Sequence, residues 1–207
     1  MPNTILQALD LTFEFPQQPV FSQFSAALPP GITYVVGGES CGKSTLLRIF
    51  AGDLTPQAGS IEVFGISSKV NLASYKKHVF WTDPRTSAHD QISPTDYFDL
   101  QRKVYPEFDE AMLLDLIEGL SLRDHVSKAM YMLSAGSKRK VWLTAAFASG
   151  ATVTMIDEPF AALDKASINF LFERLKRVAH NTNRAWVIAD HEVPGNLTTA
   201  FTIDLDL

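Results

Sequence analysis

"VVGGESCGKSTLL", residues 35–47, joins an apolar run typical of a strand to a run typical of a helix. The preceding "TYVVGG" (33–38) is a β-branched apolar run that stops at glycine, and the following "KSTLLRIFAG" (43–52) has the pattern of a helix. Between them the chain fits G-x-x-x-x-G-K-[ST], a pattern that wraps nucleotide phosphates in such a strand–loop–helix context. The four matching positions are Gly37, Gly42, Lys43 and Ser44. The sequence therefore predicts a phosphate loop.

The residue types of this loop suit phosphate binding. Glycines let backbone N–H groups turn toward phosphate oxygens, and the N-terminus of the following helix adds its positive dipole end. Lys43 supplies a point charge for the β- and γ-phosphates, and the Ser44 hydroxyl is a ligand for Mg²⁺. Ser40 stands where many such loops have glycine and Glu39 adds an acid, so either residue can weaken affinity without destroying the match. The predicted nucleotide-binding residues of the loop are Gly37, Gly38, Glu39, Ser40, Cys41, Gly42, Lys43, Ser44 and Thr45.

Two acids end a second apolar run, "VTMIDEPF" (153–160). Ligands of α/β folds bind at the C-terminal ends of strands, so Asp157 is expected there to hold Mg²⁺ directly or through water. Glu158 then lies beside the γ-phosphate, placed to polarise an attacking water. A pair of solvated acids at a strand end is common in isolation. Together with a phosphate loop, the pair indicates a nucleotide-hydrolysing site.

Composition narrows the class of protein. Of the 207 residues, 46% are hydrophobic and 20% charged, which is ordinary for a protein with a real core. The net charge is -5 and the longest basic run is Lys138-Arg139-Lys140, so the sequence offers no nucleic-acid-binding face. A single cysteine, Cys41, excludes an internal disulfide. Without an apolar run of about 20 residues or a signal-like start, the chain is expected to be cytosolic.

Strands and helices alternate along the chain, which predicts an α/β fold. We expect one domain: a P-loop core with a mixed sheet, formed by residues 1–84 and 141–207, and a mostly helical insert over about 85–140. Further strands are expected at "SIEVFG" (60–65), "RAWVIADHE" (184–192) and, as an edge strand, "AFTIDLDL" (200–207). Helices are expected after the cap "SPTD" (93–96) and over "FDEAMLLDLIEGL" (108–120).

Motifs outside the loop resemble those of the ATP-binding cassette (ABC) family, in that family's order and over essentially the whole chain. "LSAGSKRKV" (133–141) resembles the LSGGQ signature, and "AALD" (161–164) resembles the D-loop after the catalytic glutamate. His191 matches the switch histidine and Phe15 the aromatic residue that stacks on adenine. Taken singly, Phe15 would be a core aromatic and His191 a structural histidine. Asp83, in "FWTDP", stands where the family usually has glutamine.

The resemblance implies a set of roles. The cofactors would be ATP and Mg²⁺, the latter held by Ser44, Asp83 and Asp157. The catalytic residues would be Glu158, His191 and Lys43. Nucleotide contacts in trans, from a second cassette, would come from Ser134, Gly136, Ser137 and Asp164.

The implied function is the ATPase subunit of a membrane transporter. Two cassettes, identical or related, would close head to tail around two ATP and drive separate integral membrane subunits, from a peripheral position on the cytoplasmic face. The signature and D-loop are similar to those of small haem-exporter cassettes of cytochrome c biogenesis. Two alternatives stay open: a soluble ABC-type ATPase, for example in iron–sulfur assembly, and a cassette that binds ATP but hydrolyses it weakly.

Overall fold

The structure, a computed structural model, describes residues 4–206. Its strands are β1 (Leu6–Phe15), β2 (Gln18–Leu28), β3 (Gly31–Val36), β4 (Ala58–Val63), β5 (Ile66–Ser67), β6 (Val79–Phe80), β7 (Val153–Asp157), β8 (Ala185–Ala189) and β9 (Phe201–Asp204). Its α-helices are α1 (Lys43–Phe50), α2 (Leu72–Lys76), α3 (Pro94–Val104), α4 (Glu110–Gly119), α5 (Ala135–Ala148) and α6 (Lys165–Val178). A short 3₁₀ turn, Met130–Met132, precedes α5.

The strands form two sheets. The first is antiparallel, in the order β2-β1-β4-β5, and the second is parallel, in the order β6-β7-β8-β3-β9. In place of the single mixed sheet that was predicted, the structure has one antiparallel sheet and one parallel sheet. As predicted, β9 lies at a sheet edge, although it is shorter than the run 200–207.

The parallel sheet separates two hydrophobic cores. Because successive side chains of a strand point to opposite faces, Tyr34 and Trp186 join the core formed with the later helices. Val35 and Val187, the next residues in each strand, join the core formed with α1 and the antiparallel sheet. All four side chains are fully buried, which is expected for central parallel strands covered on both faces.

The helices predicted from periodicity and capping are present. Helix α3 begins with a capping box, in which Ser93 accepts from the N–H of Asp96 and Asp96 accepts in return. Helix α5 runs through the expected boundary between residues 140 and 141, so the end of the helical insert and the core share one continuous helix. Within residues 4–206, no helix combines the length and the apolarity needed to cross a membrane.

Candidate functional site

A cleft of about 490 Å³ opens at the C-terminal end of β3, over the phosphate loop. Parallel strands of an open α/β sheet direct their carboxyl ends to one edge, where ligands bind. The cleft is lined by Phe15, Gln18, Val20, Glu39, Ser40, Gly42, Lys43, Ser44, Thr45, Arg85, Glu158 and His191. Nine of these twelve residues were predicted from the sequence, and Gln18, Val20 and Arg85 were not.

The phosphate loop curls around its own lysine. The Lys43 ammonium donates to the carbonyl oxygens of Gly37 and Gly38, both at 2.6 Å, and the side chain is only 7% exposed. Gly42 ends the loop at φ +106°, where a Cβ would come within 2.9 Å of Val20. Ser40 adopts φ +61°, a left-handed conformation that costs a non-glycine residue roughly 1–2 kcal/mol. The glycine common at this position in other loops is therefore explained by backbone geometry.

The phosphate loop also contacts Asp206, near the C-terminal end of the sequence. The N–H of Gly38 donates to the Asp206 carboxylate at 2.8 Å, and a Cβ on Gly37 would lie 3.3 Å from the same side chain. Gly37 and Gly38 thus lie against Asp206, and neither they nor Cys41 line the cleft. Asp206 was not predicted, because 168 positions separate it from Gly38.

The predicted magnesium ligands Ser44 and Asp157 meet. The Ser44 hydroxyl donates to the Asp157 carboxylate at 2.6 Å. Burial raises the pKa of the Asp157 carboxyl, an effect that the Ser44 hydrogen bond opposes and the Glu158 charge reinforces. A hydroxyl oxygen beside a carboxylate is a donor set that suits Mg²⁺, which takes few protein ligands and completes its shell with phosphates and water. No cluster of three or more His, Cys, Asp or Glu side chains suited to a metal occurs within residues 4–206.

Glu158 and His191 reach the cleft from the ends of two adjacent strands. Glu158 directly follows β7 and its exposed side chain lines the cleft, with its N–H donating to the carbonyl of Ala189 at 2.8 Å. His191 follows β8, and its N–H donates to the Asp190 side chain at 2.8 Å. Burial raises the pKa of the Asp190 carboxyl. The acid and the imidazole therefore line the same cleft as the phosphate loop.

Phe15 closes the far side of the cleft. It ends β1 at the hairpin to β2, is 36% exposed, and meets Phe13 edge to face with the two ring centroids 5.0 Å apart. The ring is therefore partly exposed at the cleft, as an aromatic residue that stacks on a base must be. The hairpin also carries Gln18 and Val20 into the cleft.

The structure differs from the expectation for Asp83. This carboxylate does not line the cleft; its Oδ1 accepts from the backbone N–H of Arg85 at 2.9 Å, and the Arg85 Nε lies 3.5 Å away. Arg85 lines the cleft instead, near enough for its charge to lower the pKa of Asp157. The turn over 83–85 therefore presents a cation where the sequence predicted an anionic magnesium ligand. The sequence signal for this turn and its cation was the dipeptide Pro84-Arg85, which directly follows Asp83.

The residues expected to act in trans lie outside the cleft, at the start of α5 and in the loop before α6. Ser134 caps α5 by accepting from the N–H of Ser137 at 3.1 Å. Gly136 packs against the loop, where a Cβ would come within 2.5 Å of the carbonyl oxygen of Ala162. Asp164 caps α6 and pairs with Lys140 at 2.7 Å, which lowers the pKa of the Asp164 carboxyl.

A glycine-rich loop joins the parallel strand β3 to helix α1, and its serine is bonded to an acid that ends β7, which is separated from β3 by β8 alone. This arrangement defines a phosphate-loop nucleotide-binding protein. The family model "ABC transporter" matches residues 21–161. The chain therefore belongs to the ABC transporter family, as an ATP-binding subunit with ATPase activity.

Individual relatives agree with this assignment. The cytochrome c biogenesis ATP-binding export protein CcmA of Legionella pneumophila is 25% identical over 193 residues, covering 93% of this chain and 96% of that protein. The ABC-type transporter ATP-binding protein EcsA of Bacillus subtilis (strain 168) is 28% identical over 176 residues, covering 83% and 71%. A solved ATP-binding subunit of an ABC transporter has the same fold, with a TM-score of 0.80 at 22% identity, over 91% of this chain and 80% of that one.

Proposed function

We propose that this chain acts as one of two cassettes that close around two ATP molecules and thereby drive a separate integral membrane transporter. The observation that carries the proposal is the division of the predicted site. Phe15, Lys43 and Glu158 line one cleft, whereas the signature residues Ser134 and Ser137 lie outside it. A second cassette, a copy of this chain or a related one, supplies the missing helix N-terminus to the γ-phosphate.

Different residues of the cleft bind the adenine ring, the phosphates and the metal ion. Phe15 stacks on the adenine ring, and the amides from Ser40 to Thr45 face the phosphates at the N-terminus of α1. Lys43 exchanges its loop carbonyls for the β- and γ-phosphates, which are stronger acceptors because they carry charge. Ser44 and Asp157 would hold Mg²⁺, which when bound would neutralise negative charge on the phosphates.

Hydrolysis is assigned to the two groups at the strand ends. Glu158 orients and polarises the attacking water, and His191 contacts the γ-phosphate from the neighbouring strand. Loss of the γ-phosphoryl group removes the anion that the partner's signature helix would bind, so the two cassettes separate. Closing and opening would then be transmitted to the membrane subunits.

The relatives indicate where such a cassette works. The CcmA relative is described as an export protein of cytochrome c biogenesis. We propose that this chain sits peripherally on the cytoplasmic face, bound to membrane subunits that carry the substrate.

Trapping the ATP-bound dimer tests the proposal. Glu158→Gln keeps the size of the side chain but removes the negative charge, so it should bind ATP, lose hydrolysis and accumulate a closed dimer. Size-exclusion chromatography with light scattering, with ATP and Mg²⁺, should give twice the 22.9 kDa chain mass. Glu173→Gln, an exposed acid on α6 paired with Lys176, is the matched control and should stay monomeric while hydrolysing ATP. A Glu158→Gln protein that remains monomeric with ATP would contradict a site shared between two copies of this chain.

A further inference from the structure

Three consecutive basic residues on α5 point to three different parts of the protein. Successive residues of a helix are rotated by about 100°, so their side chains diverge. Lys138 pairs with Asp90 at 2.5 Å, and Lys140 pairs with Asp164 at 2.7 Å. Arg139, between them, turns inward to the end of strand β7. The two lysines make side-chain ion pairs, whereas the arginine contacts backbone.

Arg139 binds the two carbonyls that flank the candidate catalytic position. Its Nη1 donates to the carbonyl oxygen of Asp157 at 2.9 Å and to that of Glu158 at 2.6 Å. The side chain is half-buried, and burial lowers the pKa of the guanidinium, although arginine keeps its charge at any ordinary pH. Hydrogen bonds from a charged donor are about twice as strong as neutral ones, which makes this a firm attachment.

Glu158 needs such an attachment because its backbone is strained. It adopts φ +46°, a left-handed conformation that persists in a non-glycine residue only when the surroundings enforce it. Its N–H is fixed by the carbonyl of Ala189 at 2.8 Å and its carbonyl by Arg139. The carboxylate itself is exposed in the cleft, so its position is set through the backbone.

We propose that Arg139 is a positioning residue that holds the Glu158 backbone and so links the signature helix to ATP hydrolysis in the same chain. The inference rests on the proposed role of Glu158 in activating water. Arg139 lies five residues beyond Ser134 on one helix, about 7.5 Å along its axis. A displacement of α5 when Ser134 engages a partner's ATP would therefore reach Glu158 directly.

The test is a set of ATPase measurements with matched variants. Arg139→Gln is too short to reach both carbonyls, and we expect kcat to fall about 10- to 100-fold, the cost typical of a small misplacement. The KM for ATP should change by no more than about threefold, because the nucleotide-binding loop is untouched. Arg139→Lys, which keeps a charged donor, should recover part of the lost kcat. Lys138→Gln, which breaks the neighbouring ion pair, should leave kcat unchanged, and thermal melting should show that all variants fold.

A double-mutant cycle separates positioning from a general structural role. In the Glu158→Gln background the carboxylate is gone, so adding Arg139→Gln should leave the residual rate the same within about threefold. An equal fall of the rate in both backgrounds, or a wild-type kcat for Arg139→Gln, would overturn the inference. If instead Glu158→Gln itself hydrolyses ATP at the wild-type rate, the proposed role of Glu158 fails first, which distinguishes the two failures.

Discussion

Gly136→Ala offers a test of the contact between the signature helix and the D-loop. The added Cβ would lie 2.5 Å from the carbonyl oxygen of Ala162, which is backbone and cannot rotate away. To remove this clash, the distance between the added Cβ and the Ala162 carbonyl oxygen would have to increase by about 0.9 Å, from 2.5 Å to the 3.4 Å at which ordinary contact begins. Ala162 lies four residues after Glu158 and two before Asp164, so both ends of this loop would be displaced.

The expected effect is catalytic. A misplacement of about 1 Å can cost about 100-fold in rate, or roughly 2.7 kcal/mol of transition-state stabilisation. We therefore expect steady-state ATPase assays of Gly136→Ala to give a kcat lowered about 30- to 100-fold. The Kd of the isolated chain for ATP, measured by calorimetry, should stay within about twofold, because the phosphate loop lies elsewhere.

Two further variants sharpen this test. Gly119→Ala makes the same substitution at the end of α4, where the Cβ would meet the Phe170 ring at 2.1 Å instead of the D-loop backbone. It should lower the melting temperature without changing kcat. Glycine adopts the φ of +61° found at Ala162 without steric strain, so Ala162→Gly should let this loop move away from the added Cβ. It should therefore restore part of the kcat that Gly136→Ala loses. A wild-type kcat for Gly136→Ala would refute the described contact, and a large loss of ATP affinity would refute its separation from the phosphate loop.

Three other predictions concern the cleft. Lys43→Ala should weaken ATP binding by at least about 10- to 100-fold in calorimetry, because a hydrogen-bonding charge worth roughly 1.5–3 kcal/mol is lost. Phe15→Ala should raise the Kd for ATP through loss of base stacking worth about 1–3 kcal/mol, whereas Phe15→Tyr should bind as the wild type does, and equal affinities for all three would contradict stacking. Burial raises the pKa of the Asp157 carboxyl, so protons should compete with Mg²⁺ for this carboxylate as the pH falls. In the metal-free chain, the free energy of unfolding should decrease as the pH rises above the ordinary pKa of 3.8, because the unfolded chain loses this proton first. Mg²⁺ titrations and thermal melts across pH should show both trends, and Asp157→Asn should flatten them.

Local chemistry made much of the fold predictable. The phosphate loop, the acids after β7 and the cap of α3 are short stretches whose residues act on their own neighbours. Strands β1 and β2 were not identified from the sequence, because their alternation is interrupted by irregular register and by Asp10 and Gln23 at positive φ. Such interruptions hide the period of two that marks a strand.

The parts of the site that were missed depend on distant pairing. Asp206 and Gly38 meet only because β9 lies beside β3 in the sheet. Arg139 stood in a basic run whose simplest interpretation is a solvated face, yet it turns inward to Asp157 and Glu158. The magnesium role predicted for Asp83 depended on the motif position alone, whereas the local turn directs Arg85 to the cleft.

Mixing two inactive variants tests whether each ATP is bound between two chains. Lys43→Ala disables the phosphate loop but keeps the signature helix, and Ser134→Arg blocks the helix start but keeps the loop. If each ATP is sandwiched between two chains, a mixed dimer contains one intact site. Equal mixing should then recover up to about a quarter of the wild-type ATPase rate, although neither variant is active alone. A mixture as inactive as its components, or full activity of Ser134→Arg by itself, would contradict a site completed by a second copy of this chain.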